Sequence, residues 1–200
     1  MARIVERRSR RQWQSRTISE GRTLIDLETP RLILRLVPLA GLAATENRDV
    51  ATAKQLIGPS LTGEWFENAL WAGLRLRQWK DDPHYAPWSI RAIILKDTGT
   101  IVGSINCHDR PQSFGHNGQN GQMVELGYTI FTPWRRRGIA TEAFTALANF
   151  ARSSGVHWIR LSVSPENVPS LDLAKKMGAN KIGSQIDDID GPEDVFLLEL

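Results

Sequence analysis

Apolar positions alternate with period two in some stretches of this chain and recur every three or four residues in others. The change between the two periods marks its elements. It is sharpest over residues 124–152. Val124, Leu126, Tyr128 and Ile130 fall on one face of a strand, with Glu125, Gly127, Thr129 and Phe131 on the other. Ala140, Ala143, Phe144, Leu147, Ala148 and Ala151 then make one apolar stripe of a helix.

Other segments follow the same logic. Residues 29–38 are a strand bracketed by prolines, in which Leu32, Leu34 and Leu36 alternate with Arg31, Ile33 and Arg35. Residues 41–57 and 63–80 read as two helices parted by Gly58-Pro59, the second carrying Trp65, Phe66, Leu70 and Leu74. Residues 88–96 and 100–107 form a hairpin turning at Asp97-Thr98-Gly99. Residues 108–122, with glycines at 115, 118 and 121, read as a long loop. Strands follow at 158–163, 180–186 and 195–200, and a helix starts after Asn167 with Pro169 in its first turn. This order predicts an α/β fold around a sheet of mixed direction.

Between the central strand and its helix lies Thr132-Pro133-Trp134-Arg135-Arg136-Arg137-Gly138. The first N–H groups of a helix have no internal partner, and the macrodipole makes that end positive. Three arginines deepen the field, and Gly138 lets the backbone approach a bulky phosphate. The pattern predicts a pyrophosphate cradle. Neither the G-x-x-x-x-G-K-[ST] loop nor G-x-G-x-x-G is present. The rival reading is a surface turn with arginines for solubility.

Charge changes the picture at one end only. The net charge is +3, but seven of the 25 Lys and Arg and two of the 22 acids lie in residues 1–22, leaving 18 cations against 20 anions. Residues 1–23 are therefore expected to be a flexible basic tail, with residues 24–200 as one domain. The folded part is not a nucleic-acid binder by composition. A single cysteine, Cys107, points to a reducing cytoplasm, and no apolar run suits a membrane span.

The loop Arg135-x-x-Gly138-x-Ala140, after a strand ending Glu-Leu-Gly-Tyr-Thr-Ile, resembles the acyl-coenzyme A loop of the GCN5-related N-acetyltransferases (GNAT). The opening Thr29-x-Arg31-Leu32-x-Leu34-Arg35 is similar to the ribosomal-protein alanine acetyltransferase (RimJ/RimL-like) branch. Asn167-x-x-Ser170 followed by Lys176-x-Gly178 completes three pieces in the family's order, over about residues 29–200.

That resemblance implies the GNAT fold, a mixed, mostly antiparallel sheet of about seven strands with about four helices. It also implies acetyl-CoA as acyl donor, no metal, and a primary amine as acceptor, on a small molecule or a protein N-terminus. The pyrophosphate would sit on Arg135, Arg136, Arg137, Gly138, Ile139, Ala140 and Thr141. The pantetheine would run along Tyr128, Thr129, Ile130, Phe131 and Thr132, with Asn167 and Ser170 at its sulfur end. A homodimer is left open.

Acyl transfer also needs a proton acceptor and something to quiet the leaving thiolate. Glu125 shares a face with Gly127 and Thr129, so little bulk stands before it, and it is the expected base. His108, Asp109, Asp188 and Asp190 are its rivals. Many relatives carry a tyrosine on the last helix as general acid; here that helix reads Leu173-Ala174-Lys175-Lys176-Met177, which leaves Ser170 or water. The competing function is a module that holds acyl-CoA without turnover, docking on RNA or a ribosome through the tail.

Overall fold

The computed structural model describes residues 13–17, 23–67, 69, 71–188 and 190–200. Among these are ten strands and six α-helices. β1 (Trp13–Thr17), β2 (Thr23–Glu28) and β3 (Leu32–Leu36) lead into α1 (Leu39–Glu46), α2 (Val50–Leu56), α3 (Gly63–Glu67) and α4 (Trp71–Asp81). β4 (Arg91–Leu95), β5 (Ile101–Cys107), β6 (Gln112–His116) and β7 (Gln119–Ile130) follow. α5 (Ile139–Ser153), β8 (Trp158–Val163), α6 (Val168–Lys176), β9 (Asn180–Asp187) and β10 (Gly191–Glu199) complete the chain.

The seven expected strands are all present, joined by β1, β2 and β6. Two of these have readable causes. β6 and β7 meet across Asn117-Gly118, a pair suited to a two-residue hairpin turn, inside the stretch expected to be loop. β1 pairs along β2, from Trp13↔Leu27 to Thr17↔Thr23, so part of the expected tail is a strand. An edge strand's unpaired N–H and C=O groups favour such an addition. Residues 1–12 and 18–22, with Ile4, Val5 and Ile18, lie outside the described residues, as does Leu70.

The two long helices expected before β4 are each divided. Between α1 and α2 the backbone of Arg48 turns to a φ of 54°, and Asp49 caps the new helix by accepting the Thr52 N–H at 3.1 Å. Asn47-Arg48-Asp49 was the sequence signal for this break.

The strand order is β1-β2-β3-β4-β5-β7-β8-β10-β9, with β6 beside β7. Among these pairs only β7–β8 is parallel, and parallel neighbours need a crossover, here the loop and α5. Their shared register covers Met123↔Trp158 to Glu125↔Arg160 and then stops. β7 continues along β5 as far as Gly103↔Ile130. The sheet therefore opens beside the C-terminal half of β7, at the end where α5 begins.

α5 is held there by its apolar stripe. Ala143, Phe144, Leu147, Ala148 and Ala151 are buried, while Ala140 stays half-exposed at the opening. Truncating a fully buried Phe144 to Ala would cost about 3–5 kcal/mol.

Candidate active site

The opening is a cleft of about 920 Å³. β7 supplies Tyr128, Thr129 and Ile130, the loop Arg135, Arg136 and Gly138, and α5 begins the floor at Ile139, Ala140 and Thr141. Asn167 and Ser170 close it from α6. Eleven of the fourteen residues expected to hold acyl-CoA line this one space. Trp134, Asp172 and Lys176 line it too, without having been expected.

Gly138 is the N-cap of α5 with φ 75°, a left-handed conformation that glycine adopts without strain. No side chain caps this helix, so its first N–H groups face the cleft uncovered. The positive end of a fifteen-residue helix thus adds to the charges of Arg135 and Arg136.

The other three expected residues are turned elsewhere. Phe131 is buried in the core. Thr132 donates its N–H to Glu64 Oε1 at 2.8 Å, so that N–H is already engaged. Arg137 lies over the Trp134 ring, 4.9 Å from its centroid, and lines a separate groove of about 310 Å³ with Arg31 and Lys96. Arg135, though in the cleft, donates from Nε to the Ile130 carbonyl at 2.9 Å.

The side of the cleft closed by α6 holds two hydroxyls. Asn167 caps α6 by accepting the Ser170 N–H at 3.3 Å, and the Tyr128 hydroxyl donates to Ser170 Oγ at 3.0 Å. Burial raises the Tyr128 pKa above its usual value, with the bond to Ser170 opposing. A tyrosine is therefore present at the last helix, but it arrives from the strand. Its place on the apolar face of β7 concealed this.

The opposite face of β7 carries Glu125. Its Oε1 lies 3.7 Å from His108 Nδ1 and its Oε2 3.6 Å from Arg160 Nε. Arg160 also bonds to Gln185, which reaches Ser162 and Glu193. The space before Gly127 is not open as expected. A Cβ built on Gly127 would come 2.5 Å from His108 Nε2, so the imidazole occupies that space. Burial lowers the His108 pKa, Glu125 opposes, Arg75 lowers it further, and Asp190 and Asp187 raise it. Asp109 and Asp188 are exposed. Cys107 is fully buried, and burial pushes its thiol up to about 12, which removes it as a nucleophile.

Known proteins share this architecture. The chain is 31 % identical over 98 residues to a Bacillus subtilis protein named uncharacterized N-acetyltransferase YycN, covering 49 % of this chain and 57 % of that protein. It thus spans about half the length of the curated relatives it matches. Among solved structures, the ribosomal-protein-S5-alanine acetyltransferase of Vibrio fischeri has a TM-score of 0.59 at 15 % identity, covering 87 % of this chain and 96 % of that one. RimJ of Mycobacterium smegmatis, solved with CoA-disulfide, has a TM-score of 0.54 at 20 % identity, covering 84 % and 81 %. These two likenesses show the fold. The family model for the acetyltransferase (GNAT) domain matches residues 31–180, and the chain belongs to that family.

Proposed function

We propose that this protein moves an acetyl group from acetyl-CoA to a primary amine by direct attack within a ternary complex. The observation that carries this is the parting of β7 from β8 beyond Glu125↔Arg160, with an uncapped helix N-terminus at one end of the cleft and ionisable groups across the strand.

The donor's pyrophosphate would rest on the first N–H groups of α5, between Arg135 and Arg136. Its pantetheine arm would lie along β7. In an antiparallel ladder backbone groups point alternately to either neighbour. The bonds of Glu125 O to His108 and of Phe131 N to β5 leave the Tyr128 and Ile130 groups, beyond the last pairing with β8, directed at the cleft. The Tyr128 and Ile130 N–H groups would be the backbone donors for the thioester oxygen, while the Ile130 carbonyl is taken by Arg135. The Ser170 and Tyr128 hydroxyls would quiet the leaving thiolate.

The acceptor amine would approach on the other face of β7, where the Glu125–His108 pair can take its proton. A RimJ-like role on a protein N-terminus agrees with the strand-opening motif at Thr29 and Arg31, and a small-molecule amine fits the same geometry. A cytoplasmic setting belongs to this reading, on the strength of one buried cysteine. Among the described residues no helix is long and apolar enough to cross a membrane.

The test is transfer of labelled acetyl from acetyl-CoA to spermidine, glucosamine and a peptide with N-terminal alanine, beside calorimetry with coenzyme A. Binding with transfer to at least one amine is expected. Binding without transfer to any would favour a holding module; absence of binding would remove both readings.

A further inference from the structure

We infer that His108, rather than Glu125, takes the proton from the attacking amine, and that Glu125 is the positioning residue that orients the imidazole. This rests on the acetyltransferase reading above and names the proton acceptor within it.

The backbone sets the position. β5 pairs with β7 up to Cys107↔Leu126, and β6 resumes at Gln112↔Met123. Four residues, 108–111, therefore stand against two, 124 and 125. An excursion of this kind bends the strand and re-aims a side chain. His108 is fixed at its root: its N–H donates to Glu125 O at 2.8 Å, and its carbonyl accepts from Arg75 Nη1 at 2.5 Å and Gln78 Nε2 at 3.0 Å.

The ring then lies along β7 with Nδ1 toward Glu125 and Nε2 against the bare Cα of Gly127. Glu125 is one strand repeat behind Gly127, away from the cleft residues Tyr128 and Thr129. An amine reaching a thioester near Tyr128 meets Nε2 before it meets the carboxylate. The Glu125 carboxylate favours the proton on Nδ1, leaving the Nε2 lone pair to accept. At 3.7 Å the pair is an ion-pair separation that gains once the imidazolium forms.

The step balances. The amine nitrogen bonds the acetyl carbon, the C–S bond breaks, and the nitrogen's proton passes to His108 Nε2. The sulfur leaves as thiolate and takes a proton from water, or from Ser170 as Ser170 takes one through the Tyr128 hydroxyl from solvent, and the imidazolium returns its own to solvent. Desolvation lowers the His108 pKa against the opposing pull of Glu125, the direction that suits a base, and its side chain stays 46 % exposed to an incoming amine. The charged groups facing it are Glu125 on β7, Arg75 on α4, and Asp187 and Asp190 at the β9–β10 turn, with Arg160 of β8 on the far oxygen of Glu125.

The experiment measures pH–rate profiles of acetyl transfer, to whichever of spermidine, glucosamine or the N-terminal alanine peptide is acetylated fastest, with the His108 titration followed by nitrogen NMR. His108→Gln should lose about 10²–10⁴ in kcat/KM with acetyl-CoA affinity kept. Gly127→Ala, which displaces the ring without removing it, should lose at least tenfold. Glu125→Gln removes a charge that favours the imidazolium. The rising limb and the His108 titration should therefore move together to lower pH, while the rate falls.

A limb that vanishes or moves to higher pH in Glu125→Gln, with Gly127→Ala at full rate, would make Glu125 the base and overturn the inference. Loss of folding in His108→Gln leaves the other two variants to decide. Wild-type protein that binds acetyl-CoA but acetylates none of the three amines overturns the parent reading and this inference with it.

Discussion

Arg31 and Glu142, 111 residues apart in sequence, meet at 2.6 Å between Nε and Oε2. The other oxygen of Glu142 accepts the Arg31 N–H at 2.9 Å and the Thr29 hydroxyl at 2.5 Å, and Arg31 Nη1 donates to the Arg137 carbonyl at 3.1 Å. The loop before β3 is thereby tied to the first turn of α5 and to the arginine loop that precedes it. Thr29 and Arg31, met in sequence only as a strand-opening motif, are tied to the first turn of α5.

Burial alone would raise the Glu142 pKa, but the bonds from Thr29 and Arg31 outweigh it and hold the carboxyl below its usual range. A depressed carboxylate contributes stability that is present above the unfolded pKa and lost as pH falls through the folded one. Glu142→Gln should cost about 1–2 kcal/mol at pH 7, since Arg31 is half-exposed and solvent screens part of the bond. Denaturant titrations across pH check this: the gap from wild type should narrow as pH falls past the unfolded carboxyl value, about 4.3, and close below the lowered folded one.

Gly138→Asp should weaken coenzyme A binding at least tenfold, about 1.4 kcal/mol. The new carboxylate would face the phosphates from a residue held at φ 75°. Calorimetry on folded variant protein reads the change, and an unchanged Kd would remove the phosphate site from this loop.

Asn167 separates two roles by substitution. Asn167→Ala loses the cap on α6 and should cost about 1 kcal/mol of stability. Asn167→Asp keeps an accepting oxygen for the Ser170 N–H, so its Tm should stay near wild type. Its added charge in the cleft should still weaken acetyl-CoA binding several-fold. Thermal melts and calorimetry on the pair give both answers.

A chain beginning at Thr23 should bind acetyl-CoA with unchanged Kd, because no residue lining the cleft precedes Tyr128. Its folding is the more sensitive readout, since β2 then loses its pairing with β1. A Kd raised tenfold in the shortened but folded chain would show that residues 1–22 take part in the site.

Periodicity by itself determined β7 and α5, because a half-buried strand and an amphipathic helix each need a repeating apolar face wherever they lie in the fold. The Arg135-x-x-Gly138-x-Ala140 spacing placed the start of α5 for the same reason: a helix N-terminus with a left-handed glycine is a local object. The breaks at Asn47–Asp49 and Asn117-Gly118 are equally local cap and turn chemistry, though the apolar pattern read them as one helix and one loop.

What covers each face is not local. The alternation along β7 put Glu125, Gly127 and Thr129 together, but His108 reaches Gly127 only because β5 leaves its register after Cys107. Tyr128 meets Ser170 only because α6 packs over the cleft after an intervening strand, and Arg137 turns from the cleft to the face of Trp134. A side chain's direction follows from the backbone beneath it. Its partner is decided by strands and helices that come together from distant parts of the chain.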